Sequence, residues 1–390
     1  MSLRGWARVA AGAGFFAAAA ACAGTLTIGV LGQTDDPRLE SRRTELAYPG
    51  HPGGPITDAA AVAVGESAFE IEAARLEVRI VAMAVRDAAE ARATLLKLDK
   101  SGVQAALVDW PAAWITAAAP AVKMPVINVG DAADDLRQAS CLPNLFHVLP
   151  SERMRADALA QALAARRWSK VLLLQGPTPD DAVRAQAAQA ALKRYGLRLV
   201  ATRPFKVSAD PRERELANPL LLTGNAEYEA VWVVDGDGEF ARGLNYRTAL
   251  PRPVVGDGGL TALAWAPHFE RFGAPQLDRR FAKAAKRPMT AGDWSAWAAA
   301  KAVLQAALLN PAAPTATTVA KALTAPDFHV DGFKGARTSF RAWDRQLRQP
   351  LLLTDGVGVI GIAPVEGIIH SKNALDTLGA DEPEKLCKAK

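Results

Sequence analysis

From Gly24 onward the hydrophobic positions follow two alternating patterns, short runs of aliphatic and β-branched residues and longer Ala-rich stretches with helical spacing. That alternation predicts βαβ units built on parallel sheets. A first series of strands is expected at Leu26–Leu31, Glu77–Val81, Ala105–Val108 and Val126–Val129, and a second at Val171–Leu174, Arg198–Thr202, Ala230–Val234 and Pro253–Val255. The stretches between them predict helices over Ala59–Ala73, Ala88–Lys100, Arg153–Arg166, Asp180–Tyr195 and Pro211–Leu222. Two series imply two similar lobes, and Ser151 suits the N-cap that would open the second.

After Val255 the rhythm changes to a helical stretch, Leu277–Leu308, then Val319–Leu323 and a β-rich tail, Lys334–Ile369. The expected division is residues 1–23 as a leader, 24–145 as the first part of lobe 1 and 146–258 as the first part of lobe 2. Residues 259–330 return, mainly as helix, to lobe 1, and 331–390 return as strands and tail to lobe 2. The predicted fold class is α/β, two Rossmann-like lobes with central parallel sheets joined by a hinge the chain crosses several times. Ligands of open parallel sheets sit beyond the carboxyl ends of the strands, so both lobes should present their strand-end loops to a shared cleft.

The first 23 residues carry Arg4 and Arg8, an apolar core from Val9 to Ala21, and the small-x-small triplet Ala21-Cys22-Ala23. This is the layout of a secretory signal peptide, and it implies that the mature chain is exported. Cys22 offers a second outcome, a lipid anchor in place of simple cleavage. An oxidising compartment favours disulfides. Cys141 and Cys387 remain after cleavage, as one bridge or as two separate thiols.

Composition changes this picture little. The chain has 390 residues, 50% hydrophobic and 22% charged, which is ordinary for a globular protein with room for two cores. Its 46 basic and 41 acidic residues are interspersed, so nothing marks a nucleic-acid surface. Beyond the leader no apolar run reaches the ~18–20 residues of a membrane span.

The strand ends are more informative. Leu31 is followed by GQTDDPRLE, Val108 by Asp109-Trp110, Val129 by Gly130-Asp131, Val234 by DGDGE and Val255 by Gly256-Asp257. Each Asp has an ordinary role open to it as a turn residue or helix cap, Asp180 before the helix near Ala182 among them. A cleft gathering Asp35, Asp36, Asp109, Asp131, Asp235, Asp237 and Asp257 without matching Lys or Arg would instead suit a cation, and hard multivalent ions prefer oxygen ligands. Asp235–Glu239 lacks the remaining ligand positions of an EF-hand. Trp110, directly at a strand end, is the best candidate for an aromatic wall against an organic ligand, whereas Trp294 and Trp297 have core spacing.

Catalytic signatures do not emerge. GVGVIG at Gly356–Gly361 has dinucleotide-fingerprint spacing but runs on as a strand, with no helix behind it to receive a pyrophosphate. The five histidines are dispersed, and neither a nucleophile–base pair nor zinc spacing is visible. The expectation is a binding protein and not an enzyme.

The exported two-lobed plan resembles the type I periplasmic substrate-binding proteins of ABC transporters, particularly the branched-chain amino-acid group. Four runs are similar to the substrate-binding family found beside PQQ-dependent alcohol dehydrogenases: CLPNLFHVLPSERMRADALAQAL (Cys141–Leu163), PRPVVGDGGL (Pro251–Leu260), FKGARTSFRAWDRQLRQPLLL (Phe333–Leu353) and LDTLGADEPEKLC (Leu375–Cys387). The resemblance implies a monomer that hands cargo to an ABC permease. In methylotrophs it implies a lanthanide ion, free or chelated, as that cargo, with calcium the related hard ion. The metal ligands would then be Asp35, Asp36, Asp109, Asp131, Asp235 and Asp237, with Asp257 and Trp110 also in the cleft. The alternative is a small organic ligand, an alcohol-oxidation metabolite or a quinone-related molecule, held by Trp110. A third reading is a sensory or scaffold protein of the same fold.

Overall fold

The computed structural model describes residues 24–39 and 53–388. The leader, with Arg4, Arg8 and the alternative fates of Cys22, lies outside the described residues. Lobe 1 opens with β1 (Gly24–Gln33), α1 (Ile56–Glu66), α2 (Ala68–Ala73), β2 (Leu76–Val85), α3 (Ala88–Lys100), β3 (Ala105–Val108), α4 (Ala112–Ala118), β4 (Val126–Asn128) and β5 (Leu145–His147). Its five strands are parallel in the order β2-β1-β3-β4-β5. Lobe 2 follows with α5 (Glu152–Ala165), β6 (Lys170–Gln175), α6 (Pro179–Arg194), β7 (Arg198–Pro204), α7 (Pro219–Thr223), β8 (Ala230–Val234), α8 (Glu239–Arg242) and β9 (Val254–Gly256). These strands are parallel in the order β7-β6-β8-β9. In both sheets the first strand sits between the second and the third, so each lobe has a topological switch beside its first strand.

The central strands are buried on both faces, which is why they read as continuous aliphatic runs and not as alternation: Ala105–Val108 and Ala230–Val234 are buried at every position. The helices that open lobe 2 start at side-chain caps. Ser151 accepts from Met154 N at the head of α5, and Thr178 with Asp181 forms a capping box at the head of α6. Thr178 is therefore the cap of α6, and Asp180 is an exposed residue of its first turn.

The chain then adds β10 (Thr261–Leu263), α9 (Ala274–Ala285), α10 (Ala291–Leu308), α11 (Ala316–Leu323), β11 (Val330–Asp331), β12 (Arg337–Phe340), β13 (Leu347–Arg348), β14 (Leu351–Thr354) and β15 (Val359–Ala363). Helices α9 and α10 pack on α1, and Trp294, Trp297, Val303 and Phe281 join the core of lobe 1 with Leu26 and Ile28. The antiparallel sheet β10-β14-β15 packs on α5 and shares the core of lobe 2, contributing Ala262, Leu351, Leu353 and Ala363.

Four sequence expectations shift. The helix expected over Ala59–Ala73 breaks at Ser67, and Pro211–Leu222 becomes a 3-10 turn, Pro211–Ala217, ahead of the short α7. The segment expected to return whole to lobe 1 begins with β10 on lobe 2. The β-rich tail is split: Val330, Phe340 and Leu347 belong to the core of lobe 1, with Phe146 and Phe340 edge-to-face at 5.2 Å, and only β14 and β15 lie on lobe 2.

The lobes are thus joined by three crossings, between β5 and α5, between β10 and α9, and between β13 and β14. Two buried side chains tie all three. Lys334 donates to Ala264 O (2.9 Å) and to Gln349 Oε1 (2.7 Å), and Gln349 Nε2 donates to Val148 O (2.5 Å). Lys334 Nζ also sits 3.5 Å from the centroid of the Trp294 ring. The C-terminal tail is fastened beside them. Arg341 donates to Asp376 (3.0 Å) and to the carbonyls of Leu375, Leu378 and Ala380, and Cys141 forms a disulfide with Cys387 across a Cα–Cα distance of 5.7 Å.

Candidate functional site

Between the lobes opens a cavity of about 600 Å³. Lobe 1 contributes Arg38, Asp109 at the end of β3, and the loop after β4, while lobe 2 contributes the first turns of α5 and α6. A second chamber, about 180 Å³, lies on the lobe 2 side and shares Glu152, Arg155 and Arg184 with the first.

On the lobe 1 wall the loop after β1 folds back so that Arg38 grips Asp36 with Nη2 (2.7 Å) and Nε (3.0 Å) and reaches Asp109 Oδ1 with Nη2 (2.8 Å). The two carboxyls respond differently. Burial works against the charge of Asp36, but hydrogen bonds from Arg38 hold its carboxyl below the usual range. For Asp109 burial outweighs the pull of Arg38 and its carboxyl is pushed up. Asp131 accepts from Ala112 N (2.6 Å) and Ala133 N (2.7 Å), anchoring the start of α4. A glycine is needed beside it, because a Cβ on Gly130 would stand 2.3 Å from Asp109 Oδ1.

On the lobe 2 wall Arg184 contacts Asp257 Oδ1 at 2.5 Å and Glu152 at 3.5 Å, and Asp257 accepts Asp235 N at 2.7 Å. Burial pushes the Asp257 carboxyl up against the opposing pull of Arg184. For Glu152 the order reverses: burial opposes its charge, yet Arg155 and Arg184 together bring the carboxyl below its ordinary value. Arg155 meets Glu152 through Nη1 at 3.2 Å, while its Nε is buried with no partner. Among the residues lining the two chambers, Arg155 alone carries such an unpartnered buried side-chain atom.

The expected acidic convergence is therefore only partly realised. Asp109 and Asp131 line the interlobe cavity, and Asp257 lines the adjoining chamber. Asp36 is turned onto Arg38, Asp35 is exposed in the turn after β1, and Asp237 is exposed in the loop after β8. Asp235 accepts from Ala241 N (2.8 Å) and so holds the short helix α8. Trp110 is 1% exposed, packs in the core of lobe 1 and donates to Gly32 O at 2.9 Å, which removes it as a ligand wall. The premise that no cation matches the acids fails outright, since Arg38, Arg155 and Arg184 line the cavity among six carboxylates. Among the described residues no group of three or more His, Cys, Asp or Glu side chains is arranged to hold a metal ion.

Glu152, Arg155 and Arg184 were missed by reading strand ends alone, whereas Asp180, one of the strand-end acids, lines the cavity and is not the cap. Both arginines stand in the first two turns of the helices α5 and α6, and nothing in that spacing marks a charged residue as cavity-facing.

No protein-family model and no curated protein matches the chain. Solved structures do. A branched-chain amino acid ABC transporter periplasmic ligand-binding protein from Burkholderia xenovorans superposes with a TM-score of 0.65 at 16% identity, over 84% of this chain and 89% of that one. The leucine-, isoleucine-, valine-, threonine- and alanine-binding protein from Brucella ovis, in a closed conformation, gives 0.66 at 13% identity, over 85% and 89%. An ABC transporter solute-binding protein from Rhodopseudomonas palustris in complex with 3,4-dihydroxybenzoic acid gives 0.63 at 12% identity, over 84% and 92%. The chain has the two-lobed α/β fold of type I periplasmic binding proteins.

Proposed function

We propose that this protein is the exported solute-binding component of an ABC transporter and that its cargo is a small organic acid or zwitterion held between the lobes. The reading rests on one observation: three arginines and six carboxylates line a single interlobe cavity. The Arg155 side chain is 30% exposed, so its guanidinium can meet a ligand carboxylate from the cavity. The surplus carboxylates suit an amine or hydroxyl elsewhere on the ligand. Amino acids and aromatic acids, the ligands named for solved proteins of this fold, have this chemistry. Closure of the lobes over the ligand about the three crossings would create the form a permease recognises.

The organic reading replaces the lanthanide one because arginines pair with acids on both walls and, among the described residues, no cage of carboxylate ligands is assembled. A thermal-shift and calorimetric panel of L-amino acids, benzoates and lanthanum chloride tests it. An organic acid at a hundred times its Kd should raise stability by about 2.7 kcal/mol. A shift with lanthanum and with no organic compound would overturn it.

A further inference from the structure

The C-terminal tail joins the lobes a fourth time, and its end closes on the wall of the interlobe cavity. Its first part is gripped from both sides. Leu378 is fully buried in the core of lobe 2, Gly379 N donates to Asp157 on α5 (2.8 Å), and Tyr195 at the end of α6 donates to Thr377 O (2.7 Å). From lobe 1, Arg341 and Arg348 both donate to Asp376 (3.0 and 2.8 Å), and Trp343 Nε1 donates to Ala380 O (3.2 Å). Beyond Ala380 the chain turns so that Glu384 accepts from Arg153, in the first turn of α5, through both carboxylate oxygens (2.6 and 2.9 Å). Three residues later Cys387 is bonded to Cys141.

Cys141 belongs to the loop after β4, which carries Asp131, Asp134 and Asp135 to the cavity. That loop also meets α5 directly: Arg153 N donates to Asp134 (3.1 Å) and Glu152 N to Ala132 O (3.0 Å). A ring of contacts therefore closes across the lobe junction, from Arg153 through Glu384 to Cys387, over the disulfide to Cys141, and back along the loop to Asp134 and Arg153. Its only covalent link between the tail and lobe 1 is the disulfide. While that bond is closed, three residues of chain hold Glu384 within about 10 Å of Cys387. Release and return of its ion pair are then intramolecular events at high effective concentration. With the bond open, the end of the tail is free to leave, and the loop keeps only its own hydrogen bonds to α5.

We propose that the Cys141–Cys387 bond is a redox-sensitive latch: oxidised, it holds the Asp131–Asp135 wall of the cavity against α5, and reduced, it lets that wall and the lobe junction loosen. The reductant is a dithiol. One of its thiolates attacks Sγ of Cys387, the half-buried partner, because Cys141 is 8% exposed. A mixed disulfide forms, and Cys141 leaves as a thiolate that takes up a proton. The second thiolate of the dithiol then closes on the first sulfur, Cys387 leaves and is protonated in turn, and the electron pair has passed from the dithiol to the bridge.

Hydrogen exchange and small-angle scattering on the full, ligand-free chain, with and without dithiothreitol, test the latch. Reduction should speed exchange of the Asp131–Ser140 amides by at least about tenfold and raise the radius of gyration, while amides of β6 and β8 keep their rates. The double variant Cys141→Ala, Cys387→Ala should show both changes without reductant and respond no further to it. If that variant does not fold, Glu384→Gln, which weakens the joint to Arg153 and keeps the bridge, should give a smaller rise in the same amides. Loop exchange that stays within about twofold in a reduced, folded chain of unchanged radius overturns the latch even where the melting temperature falls, because a bond that serves stability alone gives that pattern. Peptide mapping that finds Cys141 and Cys387 as free thiols in the exported chain overturns it as well. As a control on cargo the latch rests on the cleft reading above, but no ligand enters these measurements, so either can fail without the other.

Discussion

The cleft and the hinge are built from the same residue types and differ in how those residues are satisfied. In the hinge Arg341 is 1% exposed and Gln349 0%, and the donors of both are taken up by carboxylate or carbonyl oxygens from the neighbouring crossings and the tail. In the cleft Arg38 has a side chain 44% exposed, Arg184 is shared between two acids, and Arg155 has a donor left over. A buried polar group with every valence met holds a fold together. One at a cavity wall with a valence open can exchange a protein partner for a ligand. An Arg–Asp pair therefore says nothing about function by itself; what distinguishes the two regions is the exposure of their arginines, since the hinge too has unpartnered buried atoms in His147 Nε2 and Trp265 Nε1.

Breaking the hinge should cost the most stability. Arg341→Ala removes the donor to Asp376 and to three tail carbonyls, and loss of one partner from a buried pair costs about 3–5 kcal/mol. Urea denaturation should show that loss while calorimetry on the folded fraction finds ligand affinity unchanged; a reduced affinity with full stability would erase the distinction. Gln349→Leu keeps the volume but leaves Val148 O without its donor and Lys334 Nζ with Ala264 O alone, at about 1–3 kcal/mol for the carbonyl left unpartnered. Because Gln349 bonds one crossing and Lys334 the other two, this variant should also change the rate of lobe closure, read by stopped-flow tryptophan fluorescence.

His147, at the first crossing, gives the hinge a pH signature. The ring is buried and its Nδ1 lies 3.2 Å from Asn128 Nδ2; burial first, and the charge of Arg137 second, push its pKa well below the ordinary value. Below about pH 6.5 the unfolded chain therefore takes up a proton that the folded chain refuses, and stability falls with falling pH by up to about 1.4 kcal/mol per unit. His147→Gln should remove that part of the slope in denaturation curves taken between pH 7 and pH 5. An unchanged slope would show that the ring is already accessible to solvent protons.

The strands and most helices were legible because period and burial are local: Ala105–Val108 and Ala230–Val234 begin and end where the aliphatic runs do. What was not legible was pairing at long range. Arg38 and Asp109 are 71 positions apart, and Arg184 and Asp257 are 73 apart, so the neutralisation of the acidic strand ends has no periodic trace. The tail was misplaced for the same reason, since β12 and β13 are as β-rich as β14, and only packing against Phe146 assigns them to lobe 1. Trp110 failed differently. A tryptophan at a strand end can turn outward or inward, and the carbonyl of Gly32, which accepts its N–H, decides for inward.

Arg38 offers the smallest effect and the finest discrimination. Its side chain is 44% exposed, so its pairs with Asp36 and Asp109 are screened, and Arg38→Ala should cost no more than about 1 kcal/mol of stability. The electrical consequence is larger than the structural one. Asp109, already pushed up by burial, loses the guanidinium that opposed that rise, and its carboxyl should titrate still higher. A lobe 1 wall without Arg38 is more acidic above that titration and should bind a cationic probe such as L-lysine more tightly at pH 8 than at pH 5, a pH dependence weaker in the unaltered chain. Because Arg155 on the opposite wall is untouched, affinity for benzoate should change far less than in Arg155→Gln. If Arg38→Ala instead abolishes benzoate binding as completely as Arg155→Gln does, the carboxylate is held by lobe 1, and the division of labour between the two walls is reversed.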